Sequence, residues 1–328
     1  MEYFPDVRLR RLRSTRALRD MLGLEFPGPQ KFIWPVFIVE GSNKEIAINA
    51  MPGQFRYSID RLVDVLKTVV ESKIGGILLF AVLDQQKDSH GSYAFSDEGL
   101  IQNAIRQIRK NYPDLLIFTD VCLCAYTDHG HCGALNSIGD VDNDLTLNLL
   151  NKIALSHARA GANGVAPSAM MDGQITSIRQ ALTDAGYNDT ILMSYSTKFV
   201  SSLYGPFREA AQSLPAFHGR DTYQAPFGDI KQALRESRFD IVEGADILMV
   251  KPALFYLDVI FQIRSETDLP IAAYNVSGEY AMISACANAG CGDLANMVRE
   301  SVIALCRAGA DIIISYWANQ YDELFKIR

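Results

Sequence analysis

Short apolar, β-branched runs alternate with longer amphipathic segments along the chain. Eight runs stand out: Phe32–Ile38, Gly76–Val82, Leu115–Val121, Gly164–Pro167, Ile191–Tyr195, Ile247–Val250, Ile271–Val276 and Ile312–Ser315. Each is bounded by turn residues and has the length of a buried parallel strand. Between them, Asp60–Ser72, Asp97–Lys110, Asp144–Ala160, Gly173–Ala185, Leu254–Ser265 and Leu294–Ala308 are the clearest predicted helices. Three helix ends lead into a strand through Arg159-Ala-Gly-Ala-Asn163, Val242-Glu-Gly-Ala-Asp246 and Arg307-Ala-Gly-Ala-Asp311, where the glycine suits a helix C-cap. Strand–helix units between residues 32 and 317 average about 36 residues each, the repeat of a (β/α)8 TIM barrel. An open doubly wound sheet is the alternative, but the glycine-rich G-x-G-x-x-G turn that marks its ligand site is absent. The pattern divides the chain into an N-terminal arm, residues 1–30, and a catalytic barrel, residues 31–328, with no domain-splitting linker. The stretch at about 199–223 is less regular, contains Gly205-Pro206, Leu214-Pro215 and Gly219, and reads as an active-site lid.

Composition narrows the function. With 328 residues, 48% hydrophobic and 21% charged, the chain has the balance of a soluble globular enzyme. A net charge of -7 argues against a nucleic-acid partner. No apolar run reaches the ~18 residues of a membrane span, and no signal-peptide core opens the chain. The six cysteines form no framework of paired spacings, which suits a reducing cytoplasm. One asymmetry remains: the arm carries Arg8, Arg10, Arg11, Arg13, Arg16 and Arg19. It is either a solvated terminus or an arm that docks on a neighbouring subunit.

Candidate chemistry concentrates in Asp120-Val-Cys-Leu-Cys-Ala-Tyr-Thr-Asp-His-Gly-His-Cys132, which holds half of the cysteines. In a strand, Cys122 and Cys124 point to one face, and Cys132 can return on the following loop to the same ion. Three thiolates suggest zinc with an open fourth position, as catalysis requires; His129 or His131 as a fourth ligand would instead close a structural site. In a barrel, chemistry lies at the C-terminal strand ends. These supply Asp120, Cys122 and Cys124, then Ser168, then Ser194, Ser196 and Lys198, then Lys251, then Tyr274 and Ser277, and last Ser315 and Tyr316. Lysines ending adjacent strands can share one cavity, since neighbouring strands lie about 4.8 Å apart. A solvated lysine is neutral about once in 2,500 molecules at pH 7. A neighbouring ammonium and a dry pocket both disfavour the charged form, which makes a neutral amine available for imine formation with a ketone or aldehyde. Lys251, between Ile247-Leu-Met-Val250 and Pro252, is the stronger candidate. In the lid, Arg208 and Arg220 offer forks for substrate carboxylates.

These residues resemble the porphobilinogen synthase, or 5-aminolevulinate dehydratase, family almost end to end. The resemblance runs through Arg8-Leu-Arg-Arg-Leu-Arg13, Lys87-Asp88 with Gly91-Ser92, Asp120-Val-Cys-Leu-Cys124, His129-Gly-His-Cys-Gly133, Pro167-Ser168 with Met170-Met-Asp-Gly173, Met193-Ser-Tyr-Ser-Thr-Lys198, Tyr204-Gly-Pro-Phe-Arg208, Met249-Val-Lys-Pro252 and Tyr274 with Val276-Ser-Gly-Glu-Tyr280. It implies condensation of two 5-aminolevulinate molecules to porphobilinogen with release of two waters, in tetrapyrrole synthesis. It implies a Schiff base on Lys251 and binding or activation of the second substrate by Lys198, with Asp120 orienting an amine or supporting proton transfer. Arg208, Arg220 and Gln224 would hold one carboxylate, and Ser277 and Tyr316 the other, with Tyr204, Tyr274 and Ser168 also lining the substrate site. Cys122, Cys124 and Cys132 would hold catalytic zinc, and Glu236 an activating magnesium. The family's further zinc site uses a cysteine after the lid; here that region reads Arg220-Asp-Thr-Tyr-Gln224, so it is not expected. The arm implies a homo-octamer. One position departs from the pattern: Ala169 stands where the family usually has Asp, so an indispensable role for that carboxylate is not expected here. Two other readings of the residues are a metal-free lysine aldolase on the same barrel and a non-enzymatic zinc or metabolite-binding barrel.

Overall fold

The apolar runs form a closed ring of parallel strands in a computed structural model that describes residues 8–213 and 219–325. Residues 1–7 of the expected arm, residues 214–218 of the expected lid with Leu214-Pro215, and residues 326–328 lie outside the described residues. The strands are β1 (Phe32–Val39), β2 (Glu45–Ala47), β3 (Phe55–Tyr57), β4 (Gly76–Val82), β5 (Leu116–Val121), β6 (Gly164–Pro167), β7 (Ile191–Lys198), β8 (Ile247–Lys251), β9 (Ile271–Asn275) and β10 (Ile312–Ser315). Their order is β10-β9-β8-β7-β6-β5-β4-β1, and β10 pairs back to β1 at Phe32↔Ile313 and Ile33↔Ile314. Helices connect successive strands, so the fold is the (β/α)8 barrel. Every residue of β1, β4, β6, β8 and β9 is buried, because side chains pack inside the ring and helices cover its outer face.

The three Gly-Ala-Asx turns do more than end helices. Asn163, Asp246 and Asp311 each accept a backbone N–H from the first or second residue of the preceding ring strand: Ile117 of β5 at 2.9 Å, Leu192 of β7 at 2.7 Å and Ile271 of β9 at 2.9 Å. Each also accepts from an arginine on a flanking helix, namely Arg109 at 2.5 Å, Arg179 at 2.5 Å and Arg264 at 2.8 Å. The preceding glycines, Gly161, Gly244 and Gly309, take φ of 106°, 95° and 119°, a backbone that side chains rarely adopt. One clamp is thus repeated three times at the base of the ring, far from the chemistry.

Three differences from the sequence-based expectation stand out. A short hairpin, β2 and β3, leaves the ring and pairs with β1 through β3. Its strands have three residues each, and β2 is wholly exposed, so no apolar periodicity announces it. The lid region holds a helix, Gly205–Ala211, with Pro206 in its first turn, where a fixed φ favours helix. Cations from distant sequence grip its C-terminal end: Arg56 donates to the Glu209 and Ala210 carbonyls at 2.8 and 2.7 Å, and Lys87 to the Gln212 carbonyl at 3.3 Å. The arm forms a turn of 3-10 helix, Leu9–Arg13, and a helix, Arg16–Leu22, none of it buried.

Removal of one clamp should weaken the ring without changing its architecture. Asp246→Ala loses two hydrogen bonds from a partly exposed carboxylate and should cost about 1–2 kcal/mol. Urea unfolding should show a lower midpoint with an unchanged slope.

Candidate active site

The thiols converge, but not as strand neighbours. β5 ends at Val121, and Cys122 and Cys124 lie in the turn that follows. The amides of Tyr126 and Thr127 both donate to the Leu123 carbonyl, at 2.8 and 2.9 Å, and this tight turn reverses the chain. The alternation expected of a strand is therefore replaced by a turn that achieves the same convergence. Cys122, Cys124 and Cys132 are all buried, with sulfur atoms within 4.8 Å of one another. Tetrahedral zinc with Zn–S near 2.3 Å would space them about 3.8 Å apart, so the group fits that ion. Hydrogen bonds from Cys122 and Cys124 push the Cys132 thiol well down, and the Arg220 charge adds to this. Hydrogen bonds with Cys124 and then Cys132, together with burial, push the Cys122 thiol well up. Neither histidine joins the group among the described residues. His129 accepts the His131 amide at Nδ1, at 3.2 Å, and its Nε2 lies 3.3 Å from the Ser89 carbonyl. The His131 Nδ1 meets the Tyr223 hydroxyl at 3.2 Å. Among the described residues the group consists of three sulfurs without a histidine.

Beside the thiols stand the two lysines. Lys198 and Lys251 are register partners at the ends of β7 and β8, and both are buried. Strict alternation would put Tyr195 and Lys198 on opposite faces of β7. Between Ser194 and Thr197, however, β7 has one residue more than β8 has between Leu248 and Val250. This bulge lets Tyr195 and Lys198 share the interior, with the amine 5.5 Å from the ring centroid. Lys198 donates to the Ser168 carbonyl. The Lys251 amine lies within five rings: Tyr274 at 4.3 Å, Tyr195 and Phe207 at 5.0 Å, Tyr204 at 5.4 Å and Phe80 at 6.0 Å. Ring faces attract an ammonium, but the cage also strips its water. Burial, followed by the neighbouring Lys198 charge, brings Lys251 down to about 7, against the pull of Asp120 and the cysteines. Half of such amines are neutral near pH 7. The bond that follows, Lys251–Pro252, is cis.

Asp120 faces both amines. Burial raises its carboxyl, opposed by Lys198, a Ser168 hydrogen bond and Lys251, and its Oδ1 is buried with no partner. The cavity beside them measures about 20 Å³ and is lined by Asp120, Cys124, Ser168, Lys198, Arg220 and Lys251, with Phe80, Tyr204 and Phe207. Larger hollows of about 520 and 700 Å³ flank the helix Ile230–Val242 and do not reach the lysines. Titratable groups and an orphaned guanidinium donor gather at the small cavity, which makes it the candidate reactive site.

Several polar groups near it have unspent hydrogen-bonding capacity. Arg220 is buried and gives Nη2 to the Gly130 and Ser213 carbonyls, while its Nε has no partner. Burial opposes its charge, but the Cys132 and Cys124 sulfurs outweigh that and hold the proton more tightly. Arg208 is half-buried with an orphaned Nε, and burial and Arg220 lower its pKa, so the two guanidinium groups sense each other. Gln224 is buried with both amide atoms unpaired. Ser277 is already engaged: its hydroxyl donates to the Leu203 carbonyl at 3.2 Å and accepts the Phe207 amide at 2.9 Å. The Tyr274 and Tyr316 hydroxyls meet at 3.3 Å, and Tyr204 donates to the Lys251 carbonyl at 3.0 Å. Glu236 lies elsewhere, on the helix Ile230–Val242, where burial and Asp172 raise its carboxyl. Ala169 is fully buried in the core. Sequence reasoning missed Phe80, Tyr195 and Phe207, since ordinary core aromatics carry no signal of a cage; it also missed Arg56, whose hairpin was not foreseen.

A barrel whose mouth joins paired lysines to a thiol triad defines a class of enzyme, and comparison with known proteins places the chain within it. Residues 6–324 match the family described as Delta-aminolevulinic acid dehydratase. The enzyme of that name from Synechococcus elongatus is 46% identical over 320 residues, covering 96% of this chain and 98% of the relative. That from Methanothermus sociabilis is 46% identical, covering 98% and 99%. The crystal structure of delta-aminolevulinic acid dehydratase (porphobilinogen synthase) from Toxoplasma gondii, in complex with the reaction product porphobilinogen, superposes with a TM-score of 0.95 at 38% identity, covering 97% of this chain and 91% of that one. The chain belongs to the delta-aminolevulinic acid dehydratase family; it is an enzyme, a lyase of porphyrin biosynthesis. No helix among the described residues is long and apolar enough to cross a membrane.

The lowered basicity of Lys251 has a measurable consequence for folding. Lys251 loses its proton at about 7 when folded and at its ordinary 10.5 when unfolded. Between those values the unfolded chain binds more protons, so stability rises with pH, and the full cost is present below about 7. Lys251→Met should therefore stabilise the chain most at or below neutral pH, with the gain shrinking toward pH 10.5. Urea midpoints across that range check this, and a gain independent of pH would contradict it.

Proposed function

We propose that this chain condenses two molecules of 5-aminolevulinate to porphobilinogen, releasing two waters. The carrying observation is the Lys251 amine, caged by aromatic rings and paired in register with Lys198, in a chain of this family. The neutral Lys251 amine attacks the ketone of the substrate that becomes the propionate side, forming an imine and releasing the first water. The imine acidifies the adjacent carbon. Lys198 binds or activates the second substrate, also as an imine, which makes its carbonyl carbon electrophilic. The carbon–carbon and carbon–nitrogen bonds then close the ring, each lysine returns as a free amine, and the net loss is two waters. Asp120, with one oxygen unpartnered and both amines near, moves protons or orients an amine. Arg208, Arg220 and Gln224 take one carboxylate into their unspent donors. Ser277 and Tyr316 take the other, with Ser277 redirecting its O–H from Leu203. Tyr204, Tyr274 and Ser168 line the same cavity or its cage.

Cys122, Cys124 and Cys132 would hold zinc, which when bound polarises a substrate oxygen as a Lewis acid. Glu236, which lines the hollows beside its helix, would hold magnesium by its carboxylate, the hard oxygen donor that ion prefers. A 20 Å³ cavity has room for about one water, so substrates enter only if its cover opens. We assign that role to the segment at about 199–223, whose described parts carry Phe207, Arg208 and Arg220 over the amines, and treat residues 31–328 as the catalytic barrel. Leu9, Leu12, Met21 and Leu22 are exposed on the arm of residues 1–30, which supports docking on other copies in a homo-octamer. A cytoplasmic enzyme fits the reduced thiols.

The test is pyrrole formation from 5-aminolevulinate by chelator-stripped protein, with zinc or magnesium returned separately. Zinc should restore turnover, and Cys124→Ala should lower both bound zinc and turnover. Turnover without zinc would remove the thiols from the chemistry; no pyrrole under any condition would overturn the assignment.

A further inference from the structure

One fully buried carboxylate has no part in the mechanism above. Glu279 is the third residue of the helix Ser277–Asn288 and is 0% exposed. Its two oxygens serve different purposes. Oε2 accepts the Val276 amide at 2.9 Å and the Asn275 side-chain amide at 3.1 Å, which caps its own helix and ties it to the end of β9. Oε1 reaches away from the helix to accept the backbone amides of Ala253 at 3.1 Å and Leu254 at 2.8 Å, two and three residues beyond Lys251. Burial pushes this carboxyl up to about 7 although all four donors oppose it, so the chain retains an acid that is costly to bury. Capping alone needs only the first oxygen.

The same helix also holds the segment that carries two rings of the cage. Ser277, its first residue, holds the Leu203 carbonyl and the Phe207 amide. Leu203 and Phe207 bracket Tyr204, and the Tyr204 and Phe207 rings lie 5.4 and 5.0 Å from the Lys251 amine. Gly278 has no room for a side chain: a Cβ there would lie 2.5 Å from the Leu203 carbonyl oxygen. One helix end thus touches two segments that frame the amine: through Glu279 the backbone beyond Lys251, and through Ser277 and Gly278 the segment that carries Tyr204 and Phe207.

We propose that Glu279 is a positioning residue for Lys251, its Oε1 fixing the turn at Ala253 and Leu254 so that the Lys251 amine stays registered inside the aromatic cage. This deepens the proposed function and rests on Lys251 being the imine-forming amine. The charged and titratable groups facing that amine are Lys198 from β7, Asp120 from β5, Cys122 and Cys124 beyond β5, and the phenols of Tyr195, Tyr204 and Tyr274. None of them hydrogen-bonds Oε1; the Tyr204 phenol senses the Glu279 charge and donates to the Lys251 carbonyl, so the tether bears on the amine through the backbone that carries both.

Glu279→Asp separates capping from positioning. Aspartate at the third helical position can still accept the Val276 amide, but it is one methylene too short to reach Ala253 and Leu254 as well. The probe is 4-oxopentanoate, the substrate without its amino group, trapped on lysine by borohydride and located by peptide mass mapping over a pH series. The unsubstituted chain should give a Lys251 adduct whose yield rises through neutral pH. Glu279→Asp should keep its unfolding midpoint within a few degrees. It should lose trapping at Lys251 on the order of tenfold at neutral pH, with the midpoint of the profile moved about one pH unit to the alkaline side. Unchanged yield and midpoint in the variant would overturn the proposal. So would failure to fold, because Glu279 would then act on the whole domain rather than on Lys251. If the unsubstituted chain gives no Lys251 adduct, the imine reading itself fails and the positioning role falls with it.

Discussion

An amine held out of water is the constraint around which the mouth of this barrel is built. Lys251 sits among five aromatic rings with a second lysine as its register partner, and the loss of solvation outweighs the attraction of the ring faces for a cation. An ammonium in that position is expensive, and a neutral amine is not. Folding energy thereby holds an amine that is partly neutral at neutral pH, where a solvated lysine is almost wholly protonated, and this is the state the proposed imine chemistry needs.

Other features follow from keeping that amine in place. The extra residue in β7 turns Lys198 to the same interior as Tyr195, so the second amine adds its repulsion to the first. Asp120 supplies a nearby carboxylate, and its raised pKa reflects burial that two lysines only partly offset. The thiols lie on the next turn, within the field of Arg220, which favours the thiolate of Cys132. At the base of the ring, the three Asn or Asp clamps fix where β5, β7 and β9 begin.

Much of this was legible in the sequence. Buried parallel strands read as unbroken apolar runs, so all eight ring strands were found, most to within a residue. Lys251 and Lys198 were visible because charge immediately after such a run is unusual, and the cysteine block because thiols that dense are rare. What escaped notice depended on distant partners or on broken periodicity. The hairpin β2–β3 is too short and exposed to show a pattern, yet its Arg56 grips the helix Gly205–Ala211 across the fold. The bulge in β7 is one residue of register, which no composition reveals. Cys122 and Cys124 were expected to converge by strand alternation and instead converge through a turn beyond the strand. The rings around Lys251 looked like ordinary core residues, since only the fold brings them to one point.

The most direct test of this account is the titration of Lys251 itself in the folded, substrate-free chain. Heteronuclear NMR of protein labelled with carbon-13 at the lysine ε position, assigned by comparison with Lys251→Arg, would follow it. The account predicts one lysine resonance that titrates at about 7 and disappears in the variant. A Lys251 resonance that stays protonated to its ordinary 10.5 would contradict the claim that burial supplies the reactive amine.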